Sequence, residues 1–261
     1  MRELAWQPAY LLHARAYRET SVLAEWFLPD LGRVGTILRG ARRKGKTVPA
    51  PFHPWFIQLA GGGELKQVAG IESAGASLGL VGGSLFSGLY LNELLVRLLP
   101  RELPQPELFL AYAGALGALG ELAPDDSAGI EPVLRRFERQ LLDAMGQTVS
   151  NSHQADTHEP LQSARHYQYY PEHGWLPARE GQRGACLGAD ILAVGQDDFS
   201  NPERRRLAKV LYRLALEPLL GGKPLKSRDL FAALALSQEQ VASATSLADT
   251  SAPADRSDQE Q

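Results

Sequence analysis

The chain has 261 residues, of which 44% are hydrophobic and 22% charged, a composition that allows a packed core. Its apolar runs are far shorter than the ~20 residues that cross a bilayer, and even the leucine-rich stretch 94–99 is interrupted by Arg97. Because the N-terminus has no signal-peptide layout, we expect a cytoplasmic protein. Cys186 is the only cysteine, which excludes an internal disulfide and a zinc site built from several cysteines.

The formal net charge of −3 hides an uneven distribution along the chain. Residues 1–80 carry ten Lys or Arg and six acids, whereas residues 81–202 carry eight and sixteen. Basic residues concentrate in two clusters, at 33–46 and at 204–228. Two basic clusters on a nearly neutral chain indicate one or two surfaces that face a polyanion.

The first 80 residues have the pattern of β-strands. Apolar and β-branched runs, separated by Gly, Pro or Pro-Asp breaks, predict strands at 9–16, 20–28, 33–39, 54–60 and 64–72. In SVLAEWFL, every second residue from Val22 to Leu28 is apolar, as expected for a half-buried strand. Five short strands in this length predict an OB-fold barrel over residues 1–80.

Beyond this region the pattern becomes helical, so the predicted fold class is α+β. Helical periodicity starts near Ser84 and stops at Pro100, and Asn201 with Pro202 has the pattern of a helix N-cap followed by a first-turn proline. We predict a helical domain over 81–236 with an irregular insertion at 147–200. The polar segment 237–261 is predicted to be a disordered tail.

The stretch GARRKGKT, residues 40–47, matches the phosphate-loop pattern of nucleotide-binding proteins. A phosphate-loop ATPase is therefore the alternative function. A phosphate loop must lead directly into a helix, but Pro49, Pro51 and Pro54 follow here. The favoured interpretation is a basic loop between two strands that contacts a nucleic-acid backbone; a merely solvated charged loop remains the other interpretation. No catalytic motif is recognised, so we expect a protein that is not an enzyme.

Several segments together resemble a known family. HARAYRETSVLAEWFLPDLGRVGTILRGARRKGK resembles the N-terminal region of the RecO family of recombination mediators, and PFHPWFIQLAGGGELKQV resembles that family's hairpin. GLYLNELLVRLLP, LRRFERQLLDAMG and GGKPLKSRDLF resemble three further segments in the same order. The resemblance extends from about residue 10 to residue 232.

This resemblance implies a function and its partners. The family has an N-terminal OB-fold and a C-terminal helical domain, binds single- and double-stranded DNA, and anneals complementary strands. It binds the acidic C-terminal tail of single-stranded-DNA-binding protein and acts with RecR to load the RecA recombinase. The resemblance thus implies a nucleoid-associated mediator of recombinational DNA repair without nucleotide hydrolysis.

Candidate site residues follow from the basic clusters and from the resemblance. For DNA phosphates we expect Arg33, Arg39, Arg42, Arg43, Lys44, Lys46, Lys223, Lys226 and Arg228. Alternatively, Lys223, Lys226 and Arg228 cap structure near a helix start. For the acidic tail the candidates are Phe86, Leu89, Tyr90, Arg135 and Phe137, with Arg135 as the partner of the carboxylate. Alternatively, Arg135 is a surface arginine paired with Glu131 or Glu138.

The aromatic residues of the barrel and the histidines leave further alternatives. The side chains of Trp26, Phe52, Trp55 and Phe56 either stack on bases or fill the core, and Trp55 is expected to be the most exposed. Some family members carry a four-cysteine zinc module in the region corresponding to 150–190. Here His153, His158, His166 and His173 match no zinc spacing, so we expect neither metal nor cofactor. A protein-interaction scaffold that binds acidic proteins is a third functional possibility.

Overall fold

The computed structural model describes residues 4–46, 48–124, 126–227 and 229–230. Five strands come first, three helices follow, and three short strands and two helices complete the described order. The strands are β1 Gln7–Tyr17, β2 Ser21–Leu28, β3 Gly32–Leu38, β4 Pro54–Ala60, β5 Leu65–Ser73, β6 His166–Tyr170, β7 Gly174–Ala178 and β8 Cys186–Leu187. The helices are α1 Gly82–Leu98, α2 Pro106–Glu121, α3 Ser127–Ala144, α4 Gly188–Gly195 and α5 Pro202–Leu219.

Strands β1 to β5 close into a barrel in the order β1-β2-β3-β5-β4. All pairs are antiparallel except β3 and β5, which run parallel with Gly35 opposite Leu65. This is the arrangement of an OB-type barrel, and the predicted fold class is confirmed. The interior is filled by alternate side chains such as Trp26, Val34 and Ile57, all fully buried. The indole nitrogen of Trp26 donates to the Thr36 hydroxyl over 2.9 Å.

The barrel and the helices share one hydrophobic core. Leu12 and Phe27 of the barrel strands and Phe52 pack with buried residues of α1 and α2. The side-chain nitrogen of Asn92 of α1 donates to the carbonyl of Leu12 over 2.9 Å. The hydroxyl of Tyr112 of α2 donates to the side-chain oxygen of Asn92. Because apolar packing and buried hydrogen bonds cover this face, the part of the barrel surface around Leu12 and Phe27 is not available to a ligand.

The connection between α1 and α2 runs beside the start of β3. The amide of Glu102 donates to Arg33 O, and that of Gln105 donates to Pro29 O. Gly32 has φ +64°, and a Cβ there would stand 1.9 Å from the carbonyl oxygen of Leu103. Only glycine allows this close approach without a backbone shift.

Helix boundaries follow local sequence signals. α1 ends at Leu98, just before Pro100. Asn201 caps α5 by accepting from the amide of Arg204 over 2.8 Å, as its sequence position predicts. α3 begins at Ser127, five residues before Pro132, because the Asp126 side chain accepts from the amide of Gly129 over 2.9 Å.

The region 147–200 is more ordered than an irregular insertion. It contains a small sheet in the order β7-β6-β8 and the helix α4. Trp175 is buried there, and its indole nitrogen donates to Asn151 over 3.0 Å. Residues 237–261, predicted to form a tail, lie outside the described residues, as does Arg228.

Candidate nucleic-acid interface

The basic loop between β3 and β4 projects from one end of the barrel. Gly40 and Gly45 have positive φ values of 68° and 82°, which let the chain turn sharply. The amide of Arg43 donates to Gly40 O, and that of Lys46 to Arg43 O. We call the exposed cations of this segment the basic loop: Arg39, Arg42, Arg43, Lys44 and Lys46.

The β1–β2 hairpin adds two arginines that the sequence analysis missed. The amide of Arg42 donates to Thr20 O over 3.0 Å, which fixes the basic loop against the hairpin turn. Arg18 lies in that turn, with its guanidinium carbon 5.1 Å from the centre of the Tyr17 ring. Arg15, opposite Leu23, is exposed on β1. The alternation in RAYR predicts that Arg15 and Tyr17 share a face, but only the strand pairing brings them to the loop.

Arg33 has a different environment from the exposed cations of the basic loop, and its contact with phosphate stays a prediction. Only 16% of its side chain is exposed, and it forms an ion pair of 3.1 Å with Glu25. Its Nε donates to Leu99 O over 2.9 Å. Arg33 therefore joins the barrel to the α1–α2 connection, and its guanidinium is already occupied.

The barrel aromatics divide between core and surface. Trp26 and Phe52 are buried, so they fill the core. The ring of Trp55 is half-buried and its nitrogen donates to Ala50 O, whereas Phe56 is 41% exposed. Phe56 and not Trp55 is thus the more exposed of the two, because Phe56 points out of the barrel opposite Pro8 of β1.

The GGKPLKS loop, residues 221–227, carries part of the second basic cluster. Arg97 of α1 donates to the carbonyl oxygens of Leu220, Lys223 and Pro224 over 2.8 to 2.9 Å. Glu93 accepts from the amides of Lys226 and Ser227. The backbone of this loop is therefore held on α1, while the side chains of Lys223 and Lys226 stay exposed.

The residues expected to grip an acidic tail are mostly buried. Arg135 forms a 3.0 Å ion pair with Glu138, and only 7% and 2% of the two side chains are exposed. Phe137 is fully buried and Tyr90 nearly so, and the Tyr90 hydroxyl donates to Glu138. Phe86 and Leu89 are half-buried on α1. Arg135, Phe137 and Tyr90 therefore pack in the core, and their contact with an acidic tail stays a prediction.

The neighbouring surface of α3 and α5 offers two exposed cations, Arg136 and Lys209, beside the half-buried Arg205. Arg136 is exposed, with its guanidinium carbon 5.7 Å from the centre of the buried Phe199 ring. Arg205 of α5 donates to Phe199 O over 3.0 Å. Lys209, with 61% of its side chain exposed, lies 3.2 Å from Glu131 of α3. We call Arg136, Arg205 and Lys209 with Phe199 the α3–α5 ledge.

Two family models match the chain in sequence order. The model described as recombination protein O N terminal matches residues 1–76, and the model described as recombination protein O C terminal matches residues 82–229. This chain belongs to the RecO family. The resemblance of the quoted segments is thereby confirmed.

Curated RecO relatives match the chain over most of their length. A protein named DNA repair protein RecO from Pseudomonas aeruginosa is 46% identical over 225 residues, covering 86% of this chain and 94% of that protein. The protein of the same name from Pseudomonas putida is 45% identical over 231 residues, covering 88% and 99%. That of Stutzerimonas stutzeri is 43% identical over 225 residues, covering 86% and 92%.

The phosphate-loop pattern of this RecO-family chain has no phosphate-loop geometry. Residues 40–46 form turns at the end of β3, and residues 48–53 contain no helix before β4 begins at Pro54. The following helix in the described chain is α1, which begins at Gly82. Phosphate loops place their anion at a helix N-terminus, and none adjoins this loop.

No group of three or more His, Cys, Asp or Glu side chains that could hold a metal ion occurs within the described ranges. His153, His158 and His173 lie in loops and turns, and His166 begins β6, the central strand of the small sheet. In the part of the chain that the structure describes, no helix has the length and hydropathy to span a membrane.

Proposed function

We propose that the chain is a recombination mediator in DNA repair that binds single- and double-stranded DNA through the basic end of its barrel. The observation that carries this proposal is the convergence of seven exposed cations on one end: Arg15, Arg18, Arg39, Arg42, Arg43, Lys44 and Lys46. Cations on a loop track a phosphate backbone without reading sequence, because they neutralise charge and release counterions. This favours a DNA contact over an ATPase, whose loop geometry is lacking at residues 40–46.

Membership of the RecO family supports the biological setting. The curated relatives are named DNA repair proteins. On this basis the chain anneals complementary strands and acts with RecR to exchange single-stranded-DNA-binding protein for the RecA recombinase. This role needs no catalytic site, because the free energy of binding DNA and partner proteins is enough to change which protein occupies the DNA.

The α3–α5 ledge is the surface that we assign to the acidic tail of single-stranded-DNA-binding protein. Exposed Arg136 and Lys209 supply positive charge, and Phe199 supports the Arg136 guanidinium from below. A guanidinium pairs well with a terminal carboxylate. A protein tethered in this way remains at high local concentration on coated DNA.

A charge-reversal experiment tests the DNA-binding surface. Arg43→Glu with Lys44→Glu replaces two exposed loop cations, so the affinity for a labelled single-stranded oligonucleotide should fall at least about tenfold at low salt. The matched control is Arg165→Glu with Arg183→Glu, which makes the same change of charge at two exposed arginines beside the small sheet. Fluorescence polarisation measures both affinities, and circular dichroism checks that both variants are folded. Equal losses in the two variants would show that only net charge matters and would refute a specific surface.

A further inference from the structure

A groove of about 450 Å³ crosses the outer face of the barrel beside the α1–α2 connection. Leu23 of β2, Leu65 of β5 and Val96 of α1 form its apolar walls, and His13, Arg15, Glu64 and Arg101 add polar groups. Its volume lies in the range of pockets that hold small organic molecules. The apolar walls distinguish it from the basic loop, whose cations face open solvent.

Two residues that line the groove, Leu65 and Arg101, lie close against Gly35 of β3. A Cβ at this position would stand 3.0 Å from Cδ2 of Leu65 and 3.1 Å from the guanidinium carbon of Arg101. The Arg101 guanidinium therefore lies directly over the backbone of β3 and presents a planar group to the groove. Planar guanidinium groups and apolar side chains are the surfaces on which proteins stack unpaired bases.

Two acidic residues, Glu25 and Glu64, line the groove, and the charge of Glu25 is matched by neighbouring cations. Glu25 of β2 forms ion pairs with both Arg33 and Arg101, so its charge is matched by two guanidinium groups. These contacts also fix the orientation of Arg101, because one side of its guanidinium is already bound. Glu64, at the glycine-rich β4–β5 turn, gives the groove a hydrogen-bond acceptor suited to the N–H groups of a base edge.

The groove is continuous with the basic end of the barrel. Arg15 lines the groove and is exposed on β1, and Tyr17 and Arg18 continue along the same hairpin to the basic loop. Alternate residues of a strand are about 6.6 Å apart, so a nucleotide chain held at the loop needs only a short path to reach the groove.

We propose that this groove receives one unstacked base of single-stranded DNA and thereby favours single strands over duplexes. Bases of a duplex are paired and stacked and must be extruded before they can enter such a site. The inference rests on the proposed DNA-binding function. It goes further because it assigns single-strand preference to Leu23, Leu65, Val96 and Arg101, none of which belongs to the basic loop.

Filling the groove tests this inference. Leu65→Trp places a large ring between its walls, and the full-length variant should bind a labelled single-stranded oligonucleotide about tenfold more weakly. Its affinity for a matched duplex, and for an oligonucleotide of the same length made of abasic sites, should stay within about twofold of wild type, since neither offers an unpaired base. The matched control, Leu187→Trp, makes the same change at a leucine of similar exposure on the small sheet.

Each other outcome refutes the inference. An unchanged affinity for single strands would mean that no base enters the groove, and equal losses for all three ligands would mean that it contacts only the backbone. If Leu65→Trp does not fold, the wild-type protein still decides the matter, because it must prefer the base-containing oligonucleotide to the abasic one. The proposed function fails separately, by full DNA binding in the Arg43→Glu/Lys44→Glu variant.

Discussion

Glu93 fixes the GGKPLKS loop through three hydrogen bonds that converge on its carboxylate. The amides of Lys226 and Ser227 donate over 3.0 and 2.9 Å, and the Ser227 hydroxyl donates over 2.8 Å. Burial raises the pKa of Glu93, but the hydrogen bonds from Ser227 and Lys226 and the charge of Arg97 outweigh it and hold the pKa below the ordinary value. The ionised form is therefore the one that stabilises the folded protein.

We expect Glu93→Ala to lower the free energy of unfolding by about 2 kcal/mol at pH 7, because hydrogen bonds to a charged acceptor are lost. Since the pKa is depressed in the folded state, this stabilisation is present above the ordinary carboxyl pKa and is lost as the pH falls through the folded-state value. Urea unfolding at pH 7 and at a pH below the ordinary carboxyl pKa measures the difference between variant and wild type, with exposed Glu180→Ala as control. A difference that does not shrink in acid would contradict this role.

Single elements differ in how well the sequence predicts them. The five barrel strands were predicted to within two residues, because alternation and Gly or Pro breaks are local signals. The burial of Arg135 was not predicted from the sequence. Helix α3 contacts α1, α2 and α5, so a larger part of the α3 surface is covered than its single apolar stripe indicates. The α3–α5 ledge depends on the same packing of helices. The contact between Phe199, which precedes α5, and Arg136 of α3 was not predictable from the sequence around Phe199.

The packing of α3 makes adjacent arginines behave differently. Arg136→Ala should weaken binding of an acidic peptide that ends in a free carboxylate by about tenfold, because an exposed charged donor is lost, while the fold is retained. Arg135→Ala should instead lower the free energy of unfolding by about 3 kcal/mol, because it removes the guanidinium beside a buried carboxylate. Peptide titration and denaturant unfolding measure the two effects, with exposed Arg183→Ala as the control. Unchanged peptide binding by the Arg136→Ala variant would contradict the assignment of the acidic tail to the α3–α5 ledge.

At the scale of the molecule, a chain of net charge −3 presents a positive barrel end. Composition predicted the basic segment 33–46, but the pairing of strands decides which cations lie on the same surface. It brings Arg15 and Arg18 to the basic loop and draws Arg33 away into contact with Glu25. Such long-range pairings cannot be predicted from spacing, because the residues that decide them lie in other strands and in the α1–α2 connection.

The most direct test of the central claim is the salt dependence of single-stranded DNA binding. For single strands, the logarithm of affinity falls with the logarithm of salt concentration by about 0.7 per neutralised phosphate. We predict a clear negative slope for the wild type, and a slope shallower by about 1.4 for Arg43→Ala with Lys44→Ala, which removes two contacts. Binding without a salt slope, or the same slope in both proteins, would contradict a basic loop that holds DNA by its phosphates.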